Sequence, residues 1–132
     1  MAYGTANVDV IQSSTAGTPP QFNDGNGTQT GTLCRAWVNY KGTATVGIRA
    51  SFNVSSVTVN GTGDYTVNFA NALNDANYSV VGACSPNATG SSGRIFSAPK
   101  SAVPTTSAIR VSTAYAVNIP EDQEYVFVSV FR

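Results

Sequence analysis

The side chains that could do acid–base chemistry in this chain are carboxylates, because the sequence contains no histidine. Most serine, cysteine and zinc hydrolases use an imidazole as base or metal ligand, so the composition disfavours those mechanisms. A pair of carboxylates could still hydrolyse a glycosidic bond. The acidic residues are Asp9, Asp24, Asp64, Asp75, Glu121, Asp122 and Glu124. Most of them lie in predicted turns, where an aspartate caps or closes the bend. We therefore predict that the chain is not an enzyme.

Two glycine-rich stretches resemble ion-binding or phosphate-binding loops but lack essential members. DGNGT at 24–28 begins like a calcium loop, yet no acidic ligand follows before Asp64, whereas an EF-hand loop ends on a bidentate glutamate. NGTG at 60–63 lacks the lysine and the helix of a phosphate loop. We predict no metal, no cofactor and a hairpin turn at 60–63. In that turn either Asn60 and Gly61 adopt positive φ angles or Gly63 forms a bulge.

The two cysteines, Cys34 and Cys84, match no metal-ligand spacing. The first residues, MAYGTANVDV, have neither the basic nor the apolar region of a signal peptide, and no run approaches 18 consecutive apolar residues. We predict a chain made in a cytoplasm, or a piece of a longer protein, without membrane insertion. Both thiols are then expected to stay free, because a cytoplasm keeps cysteines reduced.

The charge of the chain restricts its partners. Only 11% of the residues are charged, and seven basic residues balance seven acidic ones. The long-range field that attracts nucleic acid or anionic lipid is therefore missing, and we predict neither partner. A net charge near zero also favours self-association, because little Coulomb repulsion separates copies.

Apolar and polar residues alternate in eight segments, as in half-buried strands. The segments are 34–40, 44–50, 53–59, 64–69, 78–84, 93–97, 108–118 and 124–131. Turn clusters rich in Gly, Asn and Pro separate them, and no stretch carries a long apolar stripe of period 3.6. The pattern predicts an all-β fold, an antiparallel β-sandwich or jelly-roll-like knob of about eight strands.

The two ends of the chain depart from this pattern. Residues 1–32 contain few apolar side chains and many Gly, Pro, Ser and Thr, so they cannot bury much surface alone. We predict an extended arm or linker there that packs on a partner subunit, followed by the knob at 33–132. The last segment, EYVFVSVFR, is apolar on both faces. Such a strand is expected to lie centrally or to be covered by a neighbouring subunit.

Three groups of residues are candidates for binding. Trp37 lies on a predicted strand, where a tryptophan is typically core or interface, although an indole can also stack on a sugar ring. Arg35, Arg49 and Arg110 lie within strand patterns, so each must reach solvent, a carboxylate or another subunit. The loop SPNATGSSG at 85–93 offers neutral donors and acceptors that suit sugar hydroxyls, although an ordinary surface loop has the same composition.

One long run of the sequence resembles a known group of proteins. CRAWVNYKGTATVGIRASFNVSSVTVNGTGDYTVNF at 34–69, followed by DANYSVVGAC at 75–84, resembles a segment that recurs in structural proteins of tailed bacteriophages. It is most similar to the distal parts of tail fibres and related virion appendages. The resemblance covers about 33–84, and the preceding VDVIQSS and PPQFNDGNGT look like the connector of those proteins. The chain departs from the usual run at 40–41 and at 57–59.

The resemblance implies a virion component, assembled in the host cytoplasm, that folds as a β-rich knob and forms a homotrimer. Its partners would be other virion proteins and a host cell-surface glycan or protein. We expect a glycan to bind the 85–93 loop, with Tyr115 as the stacking partner. The residues expected to hydrogen-bond the glycan are Asn87, Thr89, Ser91 and Ser92.

Two alternatives stay open at this point. The first is a purely structural decoration or adaptor domain of a virion, whose surface meets other viral proteins. The second, which is less favoured, is a carbohydrate-active enzyme that uses Asp64 and Asp75 as its carboxylate pair.

Overall fold

The computed structural model describes residues 21–23, 28–30, 33–85, 93–99 and 101–132. The chain divides into two units, Met1–Leu33 and Cys34–Arg132. In the first unit, β1 (Gln21–Asn23) pairs antiparallel with β2 (Thr28–Thr30). The sequence pattern does not predict these two short strands. Most of the predicted arm, and the start of the DGNGT stretch within it, lies outside the described residues.

The second unit is built from strands, and its described residues include no helix. The strands are β3 (Cys34–Lys41), β4 (Gly47–Phe52), β5 (Val54–Gly61), β6 (Asp64–Phe69), β7 (Ser79–Cys84), β8 (Ile95–Ser97), β9 (Ala108–Ala116), β10 (Ile119–Pro120) and β11 (Val126–Phe131). One antiparallel sheet has the order β4-β3-β11-β7, and the other has the order β10-β9-β6-β5 with β8 also paired to β9. The all-β prediction is confirmed, and the two sheets are consistent with a β-sandwich.

The inward rows of four strands form the core. These rows are apolar at every second residue, as the alternating pattern requires. The core residues are Ala36, Val38 and Tyr40 from β3, Tyr65, Val67 and Phe69 from β6, Ile109 and Val111 from β9, and Val126, Val128 and Val130 from β11, with Leu73. Tyr40 of one sheet meets Tyr65 of the other edge to face, with ring centroids 5.3 Å apart. Each buried valine or larger side chain stabilises the fold by about 1.5–3 kcal/mol.

The turn between β5 and β6 adopts only one of the two conformations predicted for it, the one that depends on Gly63. Neither Asn60 nor Gly61 has a positive φ angle, whereas Gly63 has a φ of 64°. The pairing of β5 with β6 shifts register between Val59 and Gly61, so the turn depends on Gly63 and a bulge. An added Cβ at Gly63 would also overlap the carbonyl oxygen of Thr113. The tight turn therefore requires glycine at 63, and the prediction that used Asn60 and Gly61 is wrong.

The positions of the cysteines explain why they stay free. Cys34 lies opposite Phe131 on β11, whereas Cys84 lies opposite Val126 on the same strand. At roughly 3.3 Å per residue, those two levels of β11 are separated by about 16 Å. A disulfide needs Cα atoms less than about 7 Å apart. Both thiols are free, as predicted.

The two outer faces of the sheets differ in chemistry. The outer face of the five-stranded sheet is polar: Asn68 Nδ2 donates to Ser56 Oγ and to Thr58 Oγ1, at 3.0 and 2.9 Å. The outer face of the four-stranded sheet exposes a group of large apolar side chains, and we call this group the aromatic face. It consists of Trp37, Phe52, Val81, Phe127 and Phe131, each 36–58% exposed. β11 lies between β3 and β7, so its predicted central position is confirmed.

Candidate functional site

The residues predicted to hydrogen-bond a glycan, Asn87, Thr89, Ser91 and Ser92, lie outside the described residues. The predicted stacking partner, Tyr115, lies near the end of β9 and is 51% exposed. Two described residues border the 86–92 segment closely, Ser85 before it and Arg94 after it. Each of them contacts an exposed tyrosine, and these contacts define the candidate site.

The first tyrosine contact is a cation–π pair. The Cζ atom of Arg94 lies 4.7 Å from the centroid of the Tyr115 ring. Arg94 Nε donates to Glu121 Oε2 at 2.8 Å, and the Arg94 side chain is only 7% exposed. A guanidinium over an aromatic ring contributes about 0.5–2 kcal/mol, and more as water is excluded. Glu121 therefore fixes a buried guanidinium against Tyr115 while half of the tyrosine stays accessible.

The second tyrosine contact repeats this arrangement at the start of β11. The Cζ atom of Arg49 lies 4.1 Å from the centroid of the Tyr125 ring. Arg49 Nη2 donates to Glu124 Oε1 at 2.5 Å, and Nη1 donates to the Glu124 carbonyl oxygen at 2.7 Å. Ser85 N donates to the Tyr125 carbonyl oxygen at 2.9 Å, and Tyr125 N donates to Ser85 Oγ at 3.1 Å. Tyr125 is 43% exposed, and two hydrogen bonds join its backbone to Ser85, the residue preceding the 86–92 segment.

The connection between β10 and β11 holds both glutamates in place. Its Asp122 Oδ1 accepts from Gly63 N at 2.7 Å and from the Tyr65 hydroxyl at 2.5 Å. Its Gln123 is fully buried and donates through Nε2 to Glu121 Oε2 at 2.7 Å. Backbone and core groups therefore position the two glutamates, and through them both tyrosine contacts.

The carboxylates of the site are held in their charged form. The Gln123 amide and the Arg94 guanidinium lower the pKa of Glu121. The Thr43 hydroxyl, with Lys41 and Arg49, lowers the pKa of Glu124. A glycosidase needs a general acid whose pKa is raised instead. These two carboxylates hold the Arg94 and Arg49 guanidinium groups against the rings of Tyr115 and Tyr125.

The pKa values of the alternative catalytic pair, Asp64 and Asp75, are lowered as well. A bidentate contact from Arg110 lowers the pKa of Asp64. Hydrogen bonds from Arg132 do the same for Asp75. Each carboxylate of the pair is engaged by an arginine within the chain.

Sequence reasoning named Tyr115 as a candidate but did not name Tyr125 or the two arginine contacts. Arg49 and Arg110 reach carboxylates, which was one of the outcomes expected for them, whereas Arg35 is exposed. The signal for the missed residues is the stretch EDQEY at 121–125, in which two glutamates three residues apart precede an aromatic residue. The partners of those glutamates come from distant strands, so local sequence could not show them.

Comparisons of the chain with models of known protein families, with curated proteins and with solved structures found no match. Within the described residues, no group of three or more His, Cys, Asp or Glu side chains is placed to hold a metal ion. The same part of the chain contains no helix that is long and apolar enough to cross a membrane.

Proposed function

We propose that the chain is a structural domain of a bacteriophage virion, at the tip of a tail fibre or appendage, that binds a host-surface glycan without enzymatic turnover. The resemblance of residues 33–84 to such proteins supports the viral assignment. The observation that carries the binding role is the pair of exposed tyrosines, Tyr115 and Tyr125, beside the two ends of the neutral 86–92 segment. In this proposal the domain is a jelly-roll-like knob within a homotrimer that also contacts other virion proteins and assembles in the host cytoplasm.

The chemistry of the site fits an uncharged sugar. A tyrosine ring offers an apolar surface to the apolar face of a pyranose, and a hydroxyl that can hydrogen-bond. Ion pairs with Glu121 and Glu124 already fix the arginines behind both rings, so little side-chain entropy is lost on binding. A millimolar contact is worth only about 4 kcal/mol, but linked copies can raise avidity by roughly 10² to 10⁴. A shallow site in an oligomer is therefore sufficient.

A polysaccharide array tests this proposal. The fluorescently labelled full chain is applied to printed bacterial lipopolysaccharides and capsular polysaccharides. We expect binding to at least one of them, and we expect Tyr115→Ala and Tyr125→Ala each to weaken that binding about tenfold, from the loss of roughly 1.4 kcal/mol of stacking. Val59→Ala is the control, because Val59 is equally exposed, at 53%, but lies on β5. Binding that neither tyrosine variant weakens would contradict the assignment of the site.

A second candidate function is a purely structural decoration or adaptor domain, which the exposed aromatic face favours. Replacing residues 86–92 by a Gly/Ser linker of equal length separates the two functions. The structural function predicts unchanged host adsorption by virions that carry this replacement. The glycan-binding function predicts that adsorption is lost while the protein is still incorporated.

A further inference from the structure

The aromatic face is a continuous surface across four strands. Phe52 pairs with Trp37, Trp37 with Ser129, and Ser129 with Val81, so one row of outward side chains crosses the sheet from β4 to β7. The neighbouring row crosses it through Ala50, Asn39, Phe127 and Ala83. Neither row contains a charged side chain. The charged residues of these strands and their neighbours, such as Arg35, Lys41 and Arg49, lie around these rows.

The apolar area of this face matches one side of a protein–protein interface. With about 200 Å² per aromatic side chain, the exposed fractions of the four aromatic residues leave about 350 Å², and Val81 brings the apolar area to about 450 Å². A standard interface buries about 800 Å² per partner, of which about 57–65% is apolar. The face therefore supplies nearly all of the apolar area that one partner of a stable complex needs.

The charges of the chain favour a second copy as the occupant. The formal net charge is zero, so two copies approach with little Coulomb repulsion. The carboxylates of the described residues are engaged within the chain: four pair with arginines, and Asp122 accepts from Tyr65 and Gly63. An uncharged centre with arginine at its edge is also the usual composition of a protein interface.

We propose that the aromatic faces of three copies of this chain pack against one another around a shared threefold axis. The phenylalanine and tryptophan side chains of three such faces can interdigitate at that axis and exclude water from one another. This inference rests on the homo-oligomeric part of the proposed function and adds the surface through which the copies meet. It also gives the outward side of β11, with Phe127 and Phe131, the cover that an apolar central strand requires.

Trp37 allows the contact to be tested on the unaltered chain, because it is the single tryptophan in the sequence. Light scattering and tryptophan emission are measured on the same dilution series. We expect a mass near three times 13.7 kDa at high concentration. On dilution to the monomer, Trp37 emission should shift to longer wavelength and acrylamide quenching should rise at least about twofold, since the indole becomes solvated. A chain that stays monomeric overturns the proposal, as does an assembly in which Trp37 is quenched as readily as in the monomer.

Two matched variants locate the contact. Val81→Ser changes a side chain of the aromatic face that is 58% exposed, and Val59→Ser changes one on β5 that is 53% exposed. We expect Val81→Ser to raise the dissociation constant of the assembly about tenfold and Val59→Ser to leave it unchanged. Phe127→Ser should raise the dissociation constant of the assembly about 30-fold, the change expected when about 80 Å² of ring surface is no longer buried in the contact. Circular dichroism confirms that each variant is folded. Equal dissociation constants for Val81→Ser and Val59→Ser overturn the proposal.

Other occupants of the face give different results. If an array-positive polysaccharide quenches or shifts Trp37 emission without a change of mass, the face binds sugar and the proposal is wrong. A chain that binds the array as a monomer overturns this inference and leaves the glycan-binding proposal standing. A chain that assembles through the face but binds no polysaccharide supports this inference and contradicts glycan binding.

Discussion

Removal of the Asp122 side chain should destabilise the sandwich more than removal of any exposed carboxylate. Asp122→Ala deletes the acceptor of two short hydrogen bonds, from Gly63 N at 2.7 Å and from the Tyr65 hydroxyl at 2.5 Å. A hydrogen bond to a charged group contributes about 1.5–3 kcal/mol, and the buried Tyr65 hydroxyl would lose its shortest contact and keep its longer one with the Gly42 carbonyl oxygen at 3.3 Å. Because Asp122 is half-buried and water replaces part of the loss, we expect the free energy of unfolding to fall by about 3 kcal/mol.

Urea unfolding followed by circular dichroism measures this change. With a slope of about 2 kcal/mol per molar urea for a chain of this size, the midpoint should fall by about 1.5 M while the slope stays constant. Asp75→Ala is the matched control, since it removes the same side chain from an exposed ion pair with Arg132, and its midpoint should stay close to that of the wild type. A midpoint for Asp122→Ala within about 0.3 M of the control would refute the role assigned to Asp122.

Three further predictions follow from buried or paired groups. Hydrogen bonds from Arg110 hold the pKa of Asp64 below its ordinary 3.8. The ionised Asp64 therefore stabilises the fold above pH 3.8, and this contribution is lost as the pH falls through the folded-state pKa. In Asp64→Asn the free energy of unfolding should fall less steeply at acid pH, and an unchanged acid dependence would contradict this role. Burial raises the pKa of Tyr40 and Tyr65 above 10.0. Their contribution to the free energy of unfolding should be fully present below pH 10 and should fall above it, and part of the tyrosinate absorbance should appear only when the chain unfolds. Full ionisation of all tyrosines in a still-folded chain would contradict this. Gly82→Ala places a Cβ that overlaps three carbons at the edge of the Phe96 ring and should cost about 1–3 kcal/mol in thermal unfolding. Gly47→Ala adds a Cβ with no other atom within 4 Å and should be tolerated. Equal melting temperatures of the two variants would contradict the overlap.

Strand positions were predictable because alternation is local. The pattern of DYTVNF gives the boundaries of β6 without error, Asp64–Phe69, because one face of this strand is fully buried. The segment predicted at 44–50 begins instead at Gly47, because Ala44 has a φ of 53° and belongs to the preceding turn. β10 was not predicted at all, since two residues are too few to alternate and Asn118, with a φ of 62°, folds the chain back onto β9.

The candidate site was less predictable because long-range pairing creates it. Nothing near Tyr125 in the sequence indicates that Arg49 packs over its ring. Arg94 and Glu121 are 27 positions apart, so the local sequence gives no signal of their ion pair. Tyr115 was named from the sequence only as an aromatic stacking partner for the 85–93 loop. Part of the aromatic face was predictable, because the sequence shows apolar residues on both sides of β11. The rows that join β11 to Trp37 and Phe52 were not predictable, because they depend on the order of the strands in the sheet.

Adsorption to bacteria tests the central claim most directly. The purified full chain and the chain with a Gly/Ser linker at 86–92 are incubated with a panel of bacterial strains, and the cell-bound fraction of each is measured. We predict that the wild-type chain adsorbs to at least one strain and that the linker variant, with the same mass by light scattering, does not. Equal adsorption of both chains, or no adsorption of the wild-type oligomer to any strain, would contradict a host-binding role for the tyrosine-bordered end of the sandwich.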